Sequence, residues 1–132
     1  MSVLKCSVQA LALLVLSHAA LAQTTPEAQI AGYVAQSGQP AQPARGQEFF
    51  TNTHGKDWSC STCHTARPTV EGKHASTGKV IAPMAPAFHP QRFTDAAKTE
   101  KWFRRNCNDV VGRECTAAEK ADVLSWLASL KS

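Results

Sequence analysis

The sequence has no apolar stretch of the roughly 20 residues needed to cross a bilayer, which excludes a polytopic membrane protein. Its main apolar run, Val8 to Leu16, is too short. Charge of one sign is also scarce, with 14 Lys+Arg against 10 Asp+Glu. The basic residues are scattered along the chain rather than clustered, which argues against a nucleic-acid role. Seven glycines and seven prolines, without a repeat, exclude a collagen-like chain, and 43% apolar content excludes a disordered one. No segment alternates apolar with polar residues in the manner of a strand, and no tandem repeat is present.

What is present begins with a leader. Lys5 precedes the apolar run, and Ala20-Leu21-Ala22 closes it with an A-x-A pattern. This is the signature of a secretory signal peptide cleaved after Ala22, the alternative being an uncleaved anchor. Cleavage sheds Lys5, Cys6 and His18 and leaves 110 residues, 23–132, as one domain. Lys5 is the only charged residue of the leader, so the net charge of +4 becomes +3. A domain of this size buries a modest share of its surface and gains from a covalent staple or a cofactor.

Four cysteines remain in an oxidising compartment: Cys60, Cys63, Cys107 and Cys115. Cys60-Ser61-Thr62-Cys63-His64 is C-x-x-C-H, the attachment sequence of c-type haem. The spacing lets two thiols add across the two vinyl groups on one porphyrin edge, while the next residue brings an imidazole under the ring. A thioredoxin-like pair would need a βαβ pattern, and none is visible. A zinc site would need a second close ligand pair, which His74 and His89 do not supply. Two haem propionates would bring the +3 charge close to neutral. Cys107 and Cys115 stand eight apart with no histidine after either, and they are expected to form a disulfide closing a small loop. So short a loop contributes at most about 2–3 kcal/mol through chain entropy. Its larger effect is local, fixing whatever sits beside Cys107.

Thr25-Pro26-Glu27 reads as a helix start, with Ile30, Tyr33 and Val34 on one face and Gly38 as the stop. A second helix is expected from about Ala44 to Thr51. Residues 65–93 carry Pro68, Pro83, Pro86 and Pro90 and read as irregular, a loop suited to walling a haem. Thr94-Asp95 caps a helix expected to end near Cys107. Thr116-Ala117-Ala118-Glu119 is a capping box, followed by Val123, Leu124, Leu127 and Leu130 on one stripe with Trp126 beside it. The fold class is all-α. Trp58, Trp102 and Phe103 are expected to pack on the haem or the core. Arg104, Arg105, Lys73, Lys79 and Arg92 are expected to be solvated, or to pair with propionates or an acidic partner.

What an iron does depends on the group opposite His64. Met84, His54, His74, His89 and residues of the disulfide segment such as Asn106 are the candidates. Met84 would give a stable six-coordinate carrier, but it also reads as an apolar contact with the porphyrin. Asn106 by itself reads most simply as a helix C-cap.

Several segments resemble the sphaeroides haem protein (SHP) cytochromes. They are Thr77-Gly78-Lys79, Ile81-Ala82-Pro83-Met84-Ala85-Pro86, Arg92-Phe93-Thr94-Asp95, Glu100-Lys101-Trp102 and Arg105-Asn106-Cys107-Asn108. Gly112-Arg113, Cys115-Thr116 and Glu119-Lys120-Ala121-Asp122 agree as well, in the same order and spacing. The resemblance runs from about Pro26 to Leu130. It implies a small class I-like cytochrome c domain of four or five helices with a long irregular loop covering one haem c. In that family an asparagine just before the first disulfide cysteine ligates ferric haem, and Asn106 holds that position. The related cytochrome c″ group carries histidine there. Where these relatives have leucine, this chain has Met84.

An amide oxygen is a neutral, hard, weak donor that binds Fe(III) better than Fe(II). Asn106 is therefore expected to leave on reduction, opening ferrous haem to dioxygen, nitric oxide or carbon monoxide. The expected function is a periplasmic electron-transfer cytochrome that binds O2 or NO when reduced and is not an enzyme. The resemblance implies a dihaem cytochrome c as redox partner, with a membrane cytochrome b upstream. Redox encounters are small and transient, so no interface is expected to be visible in the sequence. One alternative is a haem enzyme reducing peroxide, oxygen or a nitrogen oxide. The other is a plain carrier with Met84 or a histidine on iron.

Overall fold

Local chemistry starts and stops most of the helices. The computed structural model describes residues 23–131, so the leader expected over 1–22 lies outside the described residues. Helix α1, Pro26–Ser37, opens with the Thr25 hydroxyl accepting the Ala28 N–H at 3.1 Å and closes at left-handed Gly38. Helix α2, Pro43–Thr51, begins one residue before the expected Ala44 and has no side-chain cap of its own. Its N-terminus is capped from far along the chain. Asp122 accepts the Gln42 N–H at 2.6 Å and the Arg45 guanidinium at 2.7 Å. Helix α3, Cys60–His64, is a single turn. A two-residue antiparallel pair follows, β1 at Gly72–Lys73 and β2 at Val80–Ile81. These strands interrupt the region expected to be irregular, and they are too short to show alternation. Helix α4, Ala96–Val110, is capped by the Asp95 carboxylate accepting the Lys98 N–H at 2.9 Å. Helix α5, Ala117–Ser129, carries the Thr116/Glu119 capping box. With five helices and one minimal hairpin among the described residues, the fold is all-α.

The core is built on α5. Residues 120–124, with Trp126 and Leu127, are all buried, which is wider than the single expected stripe. The physical reason is that α1 and α2 both pack against α5. At the α2 crossing a Cβ on Gly46 would collide with the Asp122 carbonyl, so only glycine allows the approach. Phe50, Val123, Trp126 and Leu127 form the central cluster. Burying each such side chain is worth about 1.5–3 kcal/mol. Among the described residues no helix is long and apolar enough to cross a membrane.

Helix α4 is attached differently. Among the described residues it has no broad helix–helix interface and is held at points along its length. Its N-terminal half is tied by Glu100, which accepts from Lys120 of α5 and from the Tyr33 hydroxyl of α1 at 2.7 Å. Lys120 also lies over the rings of Tyr33 and Phe103. Near the C-terminus, Cys107 and Cys115 are joined by a disulfide. Lys56 donates there to the carbonyls of Asn108 and Asp109 at 3.3 and 3.4 Å. These ties carry the helix on to Val110, one turn past the expected end near Cys107.

Candidate haem site

The C-x-x-C-H turn is framed by hydrogen bonds. At its start the Ser59 N–H donates to the Thr62 hydroxyl at 3.0 Å and the Thr62 N–H to the Ser59 carbonyl at 3.2 Å. Cys60 and Cys63 are unbridged and half-buried. The Ala75 N–H donates to the Cys63 sulfur at 3.3 Å, tying the hairpin to the second thiol. Gly72 lies so close beneath α3 that a Cβ would strike the Cys63 carbonyl and the His64 Cα. Immediately after His64, Thr65 takes a positive φ of 67°, strained for a β-branched residue, with its hydroxyl bonded to the Arg67 carbonyl at 2.9 Å. Strain of this kind collects at functional sites, where the surroundings enforce it.

Burial first, and then the nearby charges of Arg92 and His74, bring the His64 imidazole down to about 4. His64 is thus neutral at pH 7, with a free lone pair. Its Nδ1 is buried without a partner, and its ring lies 6.0 Å from that of Phe50, which in turn sits 5.1 Å from Trp126. Burial pushes the Cys60 thiol up to about 11, so both sulfur and imidazole are uncharged groups facing apolar surroundings. Phe49, Cys60, Met84, Phe93 and Phe103 all lean half-buried on the same cluster. Two unbridged cysteines, a neutral imidazole with an orphaned nitrogen and a rim of apolar side chains fit a haem c. A bare ion is not favoured, since no three His, Cys, Asp or Glu side chains gather at ligand spacing among the described residues.

The candidates for the opposite face separate clearly. His54 bonds the Phe49 carbonyl at 2.8 Å and stacks on the Phe49 ring at 4.4 Å. The His74 ring nitrogen accepts the Thr77 N–H at 3.3 Å within its own turn. His89 is half-buried in a turn closed by its N–H on the Ala85 carbonyl. Met84 has its N–H pinned to the Pro68 carbonyl at 2.9 Å, four residues past His64, and its side chain rests on the core cluster. Asn106 is not a C-cap, because α4 continues past it and is capped by Val111. It lies half-buried on the inward stripe with Thr99, Phe103 and Val110, one residue before the bridged Cys107.

Other expectations change with the third dimension. Trp58 and Trp102 do not join the core cluster. Phe103 does pack on the core. Arg92 is not solvated: it donates to the carbonyls of Ala82 and Pro83 at 2.6 and 2.8 Å and so clamps the Met84 loop. Sequence reasoning missed that clamp, the Gly72 approach and the Lys120–Glu100–Tyr33 tie. None has a local signature, since each partner comes from a distant part of the chain or from a loop of undefined course.

Residues 36–127 match a family described as a domain of unknown function, DUF1924. The cytochrome c-type protein SHP of Cereibacter sphaeroides is 54% identical over 120 residues, which is 87% of this chain and 92% of that protein. The structure of oxidised SHP, described as an oxygen-binding cytochrome c, superposes with a TM-score of 0.78 at 52% identity. It covers 82% of this chain and 99% of the other. The solution structure of cytochrome c″ from Methylophilus methylotrophus, described in terms of haem-ligand detachment, gives a TM-score of 0.70 at 33% identity. Its coverage is 81% of this chain and 94% of the other. Fold and site thus define a small helical monohaem c-type cytochrome, with haem c covalently bound. Within that class the chain belongs to the SHP family.

Proposed function

We propose that Cys60 and Cys63 hold the single haem c through thioether bonds, with His64 as proximal ligand. In this reading Asn106 is the distal ligand of the oxidised protein, which works in the periplasm as a one-electron carrier and binds a diatomic gas when reduced. Bound haem supplies an iron that changes oxidation state by one electron and has affinity for small gases. The neutral His64 offers its lone pair without a proton to displace. The Asn106 amide oxygen favours the harder, oxidised state, lets go on reduction, and leaves the amide N–H free to donate to a gas that enters. The Cys107–Cys115 bridge holds Asn106 near enough to return.

The observation that carries this reading is the placement of Asn106 on the inward stripe of α4, beside the core-packed Phe103 and the bridged Cys107. Met84 is engaged as an apolar contact on a clamped loop. Dioxygen as the gas is supported by the oxygen-binding SHP structure, and ligand release by the detachment described for cytochrome c″. A dihaem cytochrome c is the proposed redox partner.

The test is anaerobic reduction of the holoprotein with dithionite, followed by titration with nitric oxide, carbon monoxide or oxygen. A new spectrum should form with each gas only after reduction. A low-spin spectrum in both states, indifferent to gas, would establish a plain carrier. Rapid sustained consumption of peroxide or a nitrogen oxide would establish an enzyme.

A further inference from the structure

His64 departs from the rule for metal-bound histidines. A histidine that holds a metal through one ring nitrogen almost always donates its other N–H to a carbonyl, a carboxylate or water, which strengthens it as a ligand. In the C-x-x-C-H turn Nδ1 is the buried nitrogen and stands without a partner. That leaves Nε2 for the iron and puts the ring proton of the neutral imidazole on Nδ1. The proton has no acceptor.

Binding a haem does not supply one. Nδ1 is closed to water by the protein itself, so neither a water nor a propionate reaches it. The carbonyls leading away from the turn are already engaged. Arg67 accepts the Thr65 hydroxyl at 2.9 Å and the Thr69 N–H at 2.7 Å, and Pro68 accepts the Met84 and Ala85 N–H groups at 2.9 and 3.1 Å. Across the loop, the Ala82 and Pro83 carbonyls hold Arg92. The neighbouring ring is Phe50, at 6.0 Å, which offers no lone pair. An imidazole so placed keeps its proton in full and is a weak axial donor. The turn is also strained, because the next residue, Thr65, is held at a φ of 67°.

We propose that His64 is a releasable ligand by which the protein tells nitric oxide from oxygen and carbon monoxide. The inference rests on the gas-binding reading above. Nitric oxide carries an unpaired electron. Once the gas binds ferrous iron, that electron occupies an orbital directed along the axis and weakens the bond on the opposite face. Oxygen and carbon monoxide place no such electron there. With nitric oxide on the face that Asn106 leaves, the iron–Nε2 bond breaks and its electron pair returns to Nε2. Iron and gas keep their electrons, and no proton moves. With oxygen or carbon monoxide the iron–Nε2 bond persists.

The test uses the dithionite-reduced holoprotein with and without ¹⁵N-histidine. Electron paramagnetic resonance of its nitric oxide complex should show splitting from the nitrosyl nitrogen alone, the same with labelled and unlabelled histidine. In the carbon monoxide complex His64 should stay on iron, and its Nδ1–H should resonate upfield of a hydrogen-bonded imidazole N–H. A second splitting that changes with the label, an Nδ1–H at the hydrogen-bonded position, or loss of His64 from the carbon monoxide complex as well would each overturn the proposal. Each of these would leave the gas-binding reading intact. A ferrous protein that takes up no gas would remove that reading, and the proposal with it.

Discussion

Asn106 and Met84 show how far one side chain's role depends on where its backbone is tied. Met84 is the chemically stronger candidate for iron, yet its N–H is pinned to Pro68 and its loop is clamped by Arg92. Asn106 is the weaker donor, and the bridge at the next residue fixes it on the inward face of α4. Met84→Leu should therefore leave the ferric absorption spectrum unchanged and cost less than about 1.5 kcal/mol in denaturant unfolding, as volume-conserving swaps do. A changed ferric spectrum would return Met84 to the iron. At this scale the covalent chemistry was legible in the sequence, because C-x-x-C-H encodes its own geometry. The inward placement of Asn106 was not, since its C-cap reading turned on a helix end that the disulfide and Lys56 move to Val110.

Among the elements, α4 depends most on a few contacts. Burial first, and then the hydrogen bond to Glu100 and its charge, raise the Tyr33 phenol well above its usual 10. Burial would raise Glu100, but the hydrogen bonds from Lys120 and Tyr33 outweigh it and bring the carboxyl below its usual 4.5. The lowered Glu100 adds stability that is full above about 4.5 and drains as pH falls through its folded value. The raised Tyr33 adds stability that is full below 10 and drains as pH climbs beyond it. His64, kept neutral by burial, adds stability that is full above about 6.5 and drains as pH falls toward its folded value of about 4. Melting temperature should therefore plateau between about pH 6.5 and 10, and Tyr33→Phe should soften the alkaline decline. Tyr33 is the only tyrosine, so an absorbance titration reads it alone and should begin well above pH 10. Lys120→Met should speed amide exchange in α4 about tenfold, equivalent to about 1.4 kcal/mol of local stability; Lys120→Arg should restore protection. Unchanged exchange in the Met variant would show that the disulfide end alone holds the helix. At the other crossing, Asp122→Ala should cost about 2 kcal/mol, measured by denaturant unfolding, by leaving the Gln42 N–H and Arg45 without their acceptor. Helix starts written in neighbouring residues, such as Thr25 and Thr116, were legible. The α2 cap supplied 80 residues away had no local trace.

For the molecule as a whole, the all-α class and the order of helices followed from caps and spacing, while the hairpin and the anchoring of α4 emerged only from tertiary contacts. The largest fully buried side chains are Leu124, Leu127 and Pro68, and Phe49, Met84, Phe93 and Phe103 stay half-buried around the attachment turn. Haem should therefore supply much of the apolar partner surface. Combined Cys60→Ala and Cys63→Ala substitution should remove covalent haem from an acid-acetone extract and replace a sharp thermal transition with a broad one. A sharp melt without haem would show that the helices suffice alone. Electron paramagnetic resonance and visible spectra of wild type and Asn106→Ala, each recorded before and after reduction, bear most directly on the labile oxygen ligand. The substitution should alter the ferric spectra and leave the ferrous spectra as they were, since the amide has already departed. Identical ferric spectra, or equal changes in both oxidation states, would contradict it.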